Sequence, residues 1–111
     1  MEFSNIKEEV KRVNFESTRT DCDNFFEAVV VKDELAKLSE RLSKFLGEPA
    51  WPSKNRLSYQ MQEAVKAFGG IMPGQTLYFK SEGSGSDAIF AMLWPWQDGL
   101  RTTVKIIQKQ E

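Results

Sequence analysis

The sequence predicts an α+β domain: an antiparallel sheet of about four strands with a two-helix hairpin packed on one face. Two segments in the middle of the chain carry apolar residues at helical spacing, and the last third alternates with the period of two that strands require. The predicted order is (α)-β-α-α-β-β-β, in which the first helix is optional. The 111 residues match the length of one domain, so residues 1–111 are expected to form a single core.

Residues 1–24 predict a peripheral helix followed by a less regular segment. Ser4 is placed to cap that helix. Its apolar stripe consists of Phe3, Ile6, Val10 and Val13. Residues 14–24 are rich in Thr, Ser, Asp and Asn, which suits either a loop or an edge strand around Phe15 that turns back at 20–24. The composition of this segment does not decide between the two.

A strand and the first central helix are predicted next. Phe25–Val31 is rich in aromatic and β-branched residues, which indicates a strand. Asp33 is placed to cap the following helix, and Glu34 stands in its first turn, where the helix dipole favours an acid. Gly47 ends the helix. Its apolar stripe consists of Leu35, Leu38, Leu42, Phe45 and Leu46.

A second central helix is predicted after the proline-containing connection 48–55. Either Ser53 or Asn55 is expected to cap it. Its apolar face consists of Leu57, Met61, Ala64, Val65 and Phe68. Gly69 and Gly70 supply a left-handed exit that a side chain would resist. The two helices are expected to pair as an antiparallel hairpin.

The last third predicts three consecutive strands in a meander. Residues 76–80 alternate between apolar and polar side chains, as in a half-buried strand. After a flexible reversal at 83–86, residues 88–94 are apolar on both faces, which is typical of a strand inside a sheet. Asp98 and Gly99 form a strong hairpin signal before the last strand, residues 100–108.

Charge and composition argue against several classes of partner and location. Fifteen basic and sixteen acidic residues give a net charge of −1, which offers no long-range attraction to nucleic acid or anionic lipid. The only cysteine, Cys22, cannot form an internal disulfide, and the amino terminus lacks a signal-peptide pattern, so a cytoplasmic location is expected. The longest apolar run is about half the roughly 20 residues of a spanning helix, so no membrane insertion is expected.

No catalytic residue, metal site or cofactor is predicted. Histidine is absent, which removes the usual group for proton transfer near neutral pH and a common metal ligand. Cys22 lies between Asp21 and Asp23, whose charges disfavour a reactive thiolate. The glycine-rich stretch 82–87 lacks the lysine and the spacing of a phosphate-binding loop, and its two carboxylates are too few for a firm cation site.

Three tryptophans beside prolines, with one tyrosine just beyond the first of them, are the candidate binding site. They are Trp51, Tyr59, Trp94 and Trp96. Tryptophan combines a large apolar area with one hydrogen-bond donor, so such residues either anchor a ligand or partner, or plug the end of the core. Arg101, Lys105 and Lys109 share one face of the last strand, either for an anionic partner or to keep an edge strand soluble; the second explanation is favoured.

The function expected from these features is a non-catalytic binding or protein-interaction module that uses an aromatic and apolar surface. Its partner would be a protein or a small ligand, and a homodimer through the sheet is a variant of the same hypothesis. The alternative is a small enzyme that uses Asp, Glu, Lys or Tyr for acid–base chemistry in a pocket between helices and sheet. No residue spacing singles out a catalytic pair.

Overall fold

A computed structural model describes residues 2–52, 56–81 and 88–109. The elements in chain order are α1 (Glu2–Val10), β1 (Phe15–Asp21), β2 (Phe25–Val31), α2 (Lys32–Leu46), α3 (Tyr59–Lys66), β3 (Thr76–Ser81), β4 (Ala88–Pro95) and β5 (Arg101–Lys109). The α+β class is therefore confirmed. None of the helices within the described residues has both the length and the apolar character needed to cross a membrane.

The five strands form one antiparallel sheet in the order β1-β2-β5-β4-β3. The predicted meander of the last three strands is confirmed, but the sheet has one strand more than expected. The extra strand is β1, which decides between the two interpretations of residues 14–24 in favour of the edge strand. Its register with β2 shifts twice, between Phe15 and Ser17 and between Thr18 and Thr20. Such irregularities disfavour pairing with another chain at this edge.

The N-terminal helix belongs to the core rather than to the periphery. All four residues of its predicted stripe are buried, Val13 just beyond the helix end among them, and they pack with residues of α2 and the sheet. The helix begins at Glu2, so Ser4 stands inside it and is not the N-cap. The expectation that this helix is peripheral is therefore wrong.

Helix α2 follows strand β2 without an intervening loop, and this explains why the predicted cap is wrong. Val31 occupies the N-cap position and makes no side-chain cap hydrogen bond, while Asp33 and Glu34 lie in the first turn. The backbone N–H of Lys32 instead donates to the carbonyl of Leu100, 2.8 Å away, which fixes the start of the helix against β5. At the other end Gly47 has a φ of 81°, as the predicted stop requires.

Helices α2 and α3 lie on opposite faces of the sheet, so the predicted hairpin on one face is wrong. The buried residues of α1 and α2 pack with one set of strand side chains, including Ala28 and Ile106. Those of α3 pack with the alternate set, including Leu77 and Phe90. An apolar stripe on a helix requires a covered surface but does not specify which side of a sheet supplies it. The chain therefore has three layers.

Helix α3 is held to the sheet by an aromatic cluster. Ser58 caps it by accepting a hydrogen bond from the Met61 N–H at 3.2 Å; the caps expected at Ser53 or Asn55 lie outside the described residues. Beyond its C-terminus the Phe68 ring lies 6.3 Å from the Phe25 ring and 6.1 Å from that of Phe90, centroid to centroid. Aromatic pairs at these distances add to the energy of simple burial.

The layer arrangement predicts which core residues are energetically coupled. Phe68→Ala and Phe25→Ala remove two rings that stack on the same face, so a double-mutant cycle in urea unfolding should show a coupling of about 1 kcal/mol. Leu42 lies on the other face, so Phe68→Ala and Leu42→Ala should add to within about 0.5 kcal/mol. The reverse pattern would contradict the three-layer order.

Candidate functional site

The side of the sheet that carries α3, here called the α3 face, is covered by much less helix than the other side. Helix α3 has 8 residues, whereas α1 and α2 have 9 and 15. Two open cavities flank α3, one beside Trp51 and one beside Lys109. A smaller cavity of about 280 Å³ lies between α1 and α2 and is lined by charged residues of both helices. The α3 face therefore offers the larger cavities with an apolar lining.

The Trp51 cavity has a volume of about 310 Å³. It is lined by Trp51, Leu57, Gln62, Val65, Gly70 and Ile71. Trp51 is fixed at the edge of the sheet because its backbone pairs with Leu77: the Leu77 N–H donates to the Trp51 carbonyl at 2.9 Å. The Gln62 side-chain amide donates to the Leu57 carbonyl at 2.9 Å, which ties the approach to α3 onto the helix. None of the lining residues that the structure describes has an ionisable side chain.

Two large apolar side chains stand exposed next to these lining residues in the chain. Tyr59, the first residue of α3, is 77% exposed, and Met72, which follows Ile71, is 57% exposed. The turn that carries Met72 is fixed, because its N–H donates to the Gln75 side-chain oxygen at 2.9 Å. Exposed apolar groups beside an apolar cavity are typical of a binding surface.

The Lys109 cavity is larger and of different character, with a volume of about 630 Å³. It is lined by Asn24, Glu63, Ala64, Ala67, Phe68, Phe90, Ile107, Gln108 and Lys109. Its apolar residues come from α3, the residues after it and two central strands, whereas its polar ones lie on α3, at the start of β2 and at the end of β5. The cavity thus combines an apolar lining with amide and charged groups.

Trp94 and Lys105 form a close pair on the same face. The Lys105 ammonium lies 3.8 Å from the centroid of the Trp94 ring and 5.6 Å from that of Phe68. A cation over an indole is attracted by the negative face of the ring. The Trp94 Nε1–H is buried and has no acceptor among the described residues.

Trp96 is fixed by a hydrogen bond and by two arginines. Its Nε1–H donates to the Thr103 hydroxyl at 2.8 Å, and the guanidinium carbons of Arg19 and Arg101 each lie 5.7 Å from the ring centroid. Arg101 also contacts Glu16 at 2.7 Å and Asp98 at 3.0 Å. The pKa of Arg101 is raised, chiefly by its hydrogen bond to Glu16.

The four aromatic residues predicted from the sequence do not form one site. Trp51 lines a cavity, Tyr59 stands exposed at the start of α3, and Trp94 and Trp96 are half-buried near Thr103. The binding role of these residues stays a prediction. The sequence pattern placed Phe68 on the apolar face of the helix without a binding role. It did not single out Ile71, although the glycine pair 69–70 before it signals a sharp change of chain direction.

The basic residues of the last strand need a different explanation from the one that the sequence favoured. Strand β5 lies between β2 and β4, so Arg101, Lys105 and Lys109 do not protect an edge.

Cys22 is exposed, and the part of the chain that the structure describes holds no cluster of three potential metal ligands. The glycine-rich stretch 82–87 lies outside the described residues.

Comparison with known proteins adds no family to these observations. No family model, no curated protein and no solved structure matches the chain. What the α3 face can bind therefore follows from the volume, the lining and the charges of its cavities.

The hairpin that carries Trp96 predicts a pH dependence of stability. The pKa of Asp98 is lowered, first because its carboxylate accepts a hydrogen bond from the Leu100 N–H and further because of Arg101. A lowered pKa in the folded state stabilises the protein above the unfolded-state pKa, and this stabilisation is lost as the pH falls through the folded-state pKa. The wild type should therefore exceed Asp98→Asn in urea midpoint at pH 6, and the difference should shrink below about pH 4. A difference that is constant with pH would contradict this.

Proposed function

We propose that this protein is a non-catalytic binding module that takes up an apolar group of a partner in the Trp51 cavity. The observation that carries the proposal is the cavity itself, whose described lining residues are apolar apart from Gln62 and carry no charge. The exposed Tyr59 and Met72 extend the apolar surface along the chain from the lining residues. Binding hot spots commonly consist of an aromatic or aliphatic anchor in such a pocket, surrounded by residues that exclude water.

The size of the cavity favours one kind of occupant. A volume of about 310 Å³ is at the lower end of the range for drug-sized ligands, and it suits a single ring or branched side chain. A protein partner that inserts one aromatic or aliphatic side chain therefore fits better than a large cofactor. A second copy of this chain is one such partner, and the homodimer stays a prediction.

The charged groups of the described residues support binding more than acid–base chemistry. The groups with a shifted pKa are Lys11, Asp21, Glu34, Asp98 and Arg101. All five take part in ion pairs near the surface, and none lines the Trp51 cavity. The enzyme hypothesis stays a prediction that no particular pair of residues favours.

The proposal predicts that a small aromatic probe binds beside Trp51. With p-cresol, which reproduces the tyrosine side chain, titration by two-dimensional NMR should shift the amide signals of Leu57, Val65 and Ile71 first. Ile71→Lys should weaken this binding about tenfold, because it replaces apolar lining with a charge. Circular dichroism checks that the variant folds.

Two further variants make the test independent of the stability of Ile71→Lys. Leu100→Lys alters an equally apolar side chain that is 57% exposed and lies away from the cavity, so its p-cresol affinity should equal that of the wild type. The exposed pair Tyr59→Ser and Met72→Ser should fold normally and weaken binding of a partner peptide or second copy without closing the cavity. Shifts spread evenly over the protein, or equal affinities in Ile71→Lys and wild type, would contradict the proposal.

A further inference from the structure

Lys105 and Lys109 are two cations on the α3 face for which the fold provides no acidic partner among the described residues. They share this face of β5 with Arg101, in the middle of the sheet. Arg101 is accounted for by Glu16, Asp98 and the Trp96 ring. The two lysines are half-buried, and neither forms an ion pair within the described residues.

Two described acids near these lysines are paired elsewhere. Glu27 stands opposite Lys105 in the register of β2 and β5, but its carboxylate pairs with Arg19 at 3.6 Å. Glu63 lines the Lys109 cavity and pairs with Lys66 at 4.0 Å. Within the described residues neither glutamate is therefore an ion-pair partner of Lys105 or Lys109. A half-buried cation is stabilised by pairing with an anion.

The lining of the Lys109 cavity defines the rest of the ligand. Phe90 and Ile107 are buried side chains of the sheet, and Phe68 stands against Phe90 with its ring edge-on at 6.1 Å. Asn24, Gln108 and Lys109 line the polar side of the cavity, and Lys109 supplies a cation there. The backbones of Asn24 and Gln108 are joined, because the Gln108 N–H donates to the Asn24 carbonyl at 2.9 Å. An ammonium group donates charge-assisted hydrogen bonds to an acidic group.

We propose that the Lys109 cavity binds a small organic anion with an aromatic or apolar body. The acidic group contacts Lys109, and the apolar body lies against Phe68 and Phe90. The Lys105 ammonium, 5.6 Å from the Phe68 ring centroid, adds positive potential. The volume of about 630 Å³ accommodates a ligand of two fused rings with a substituent. This site is separate from the Trp51 cavity and does not depend on the function proposed for it.

The test compares two fluorescent probes that differ in charge. The sulfonate of 8-anilinonaphthalene-1-sulfonate is ionised at every pH used, and N-phenyl-1-naphthylamine is its neutral counterpart. Lys109→Gln should weaken binding of the sulfonate about fivefold and leave that of the neutral probe unchanged, because one charge interaction is lost. Lys80→Gln, which removes an exposed lysine outside the cavity lining, should change neither affinity.

A pair of opposite charges at Ala67 gives a second, independent measurement. Ala67 is exposed and lines the cavity, so both Ala67→Glu and Ala67→Lys should fold. The glutamate should weaken binding of the sulfonate and the lysine should strengthen it, each a few-fold, and 0.5 M salt should reduce both effects. Ala36→Glu, an exposed alanine of α2 on the other face, is the control and should leave the affinity unchanged.

The outcomes separate this proposal from that for the Trp51 cavity. Ile71→Lys should leave the response of the sulfonate to Lys109→Gln intact, even where p-cresol no longer binds. Equal sulfonate affinity in wild type and Lys109→Gln, together with no difference between Ala67→Glu and Ala67→Lys, would overturn the anion site. Equal loss of both probes in Lys109→Gln would also overturn it, since the charge would then have no specific effect.

Discussion

Strand β4 has apolar side chains on both of its faces, and the rest of the fold depends on covering both. Its residues from Ala88 to Leu93 are all buried, with Ile89, Ala91 and Leu93 in one core and Phe90 and Met92 in the other. A single layer of helix would leave one of these sets in water, at a cost of about 25 cal/mol for each Å² of apolar surface. The chain between α2 and α3 therefore passes around the β3 edge, where the backbone of Trp51 pairs with that of Leu77. A two-layer arrangement of the same elements would not bury this strand.

The helical layers on the two sides of the sheet differ in length, and the shorter layer leaves the α3 face more open. On one side α1 and α2 enclose a continuous core. On the other side one short helix, anchored by the ring of Phe68, leaves a cavity at each of its flanks. Beyond the helix, Trp96 donates a hydrogen bond to Thr103 of the sheet, and its ring lies near the Arg101 guanidinium. A surface of this kind can exchange water for a ligand without disturbing the better-packed core, which is the usual division between scaffold and site.

Local sequence patterns predicted the helices and strands whose buried faces dictate which residue types they carry. Strand β2 was predicted with its observed bounds, and the stripe of α2 is buried or partly buried as expected. The sequence did not predict the features that depend on contacts between distant parts of the chain. The polar strand β1 is held by its pairing with β2, and the stripe of α3 does not specify a face. For the same reason the sequence identified Trp51 as a candidate residue but not Ile71, which lines the same cavity and comes from another part of the chain.

The net charge of −1 predicts no long-range attraction to nucleic acid, but it does not describe how the charges are distributed. A local anion site is compatible with it. Attraction at a distance depends on the summed field, which is screened over about 10 Å at 0.1 M salt. A small anion that reaches the α3 face interacts instead with the nearest groups. Among the described residues Lys105 and Lys109 have no acidic partner there. The nearby Glu27 and Glu63 pair with Arg19 and Lys66. The arrangement thus selects for one compact acidic group joined to an apolar body that the aromatic lining can hold.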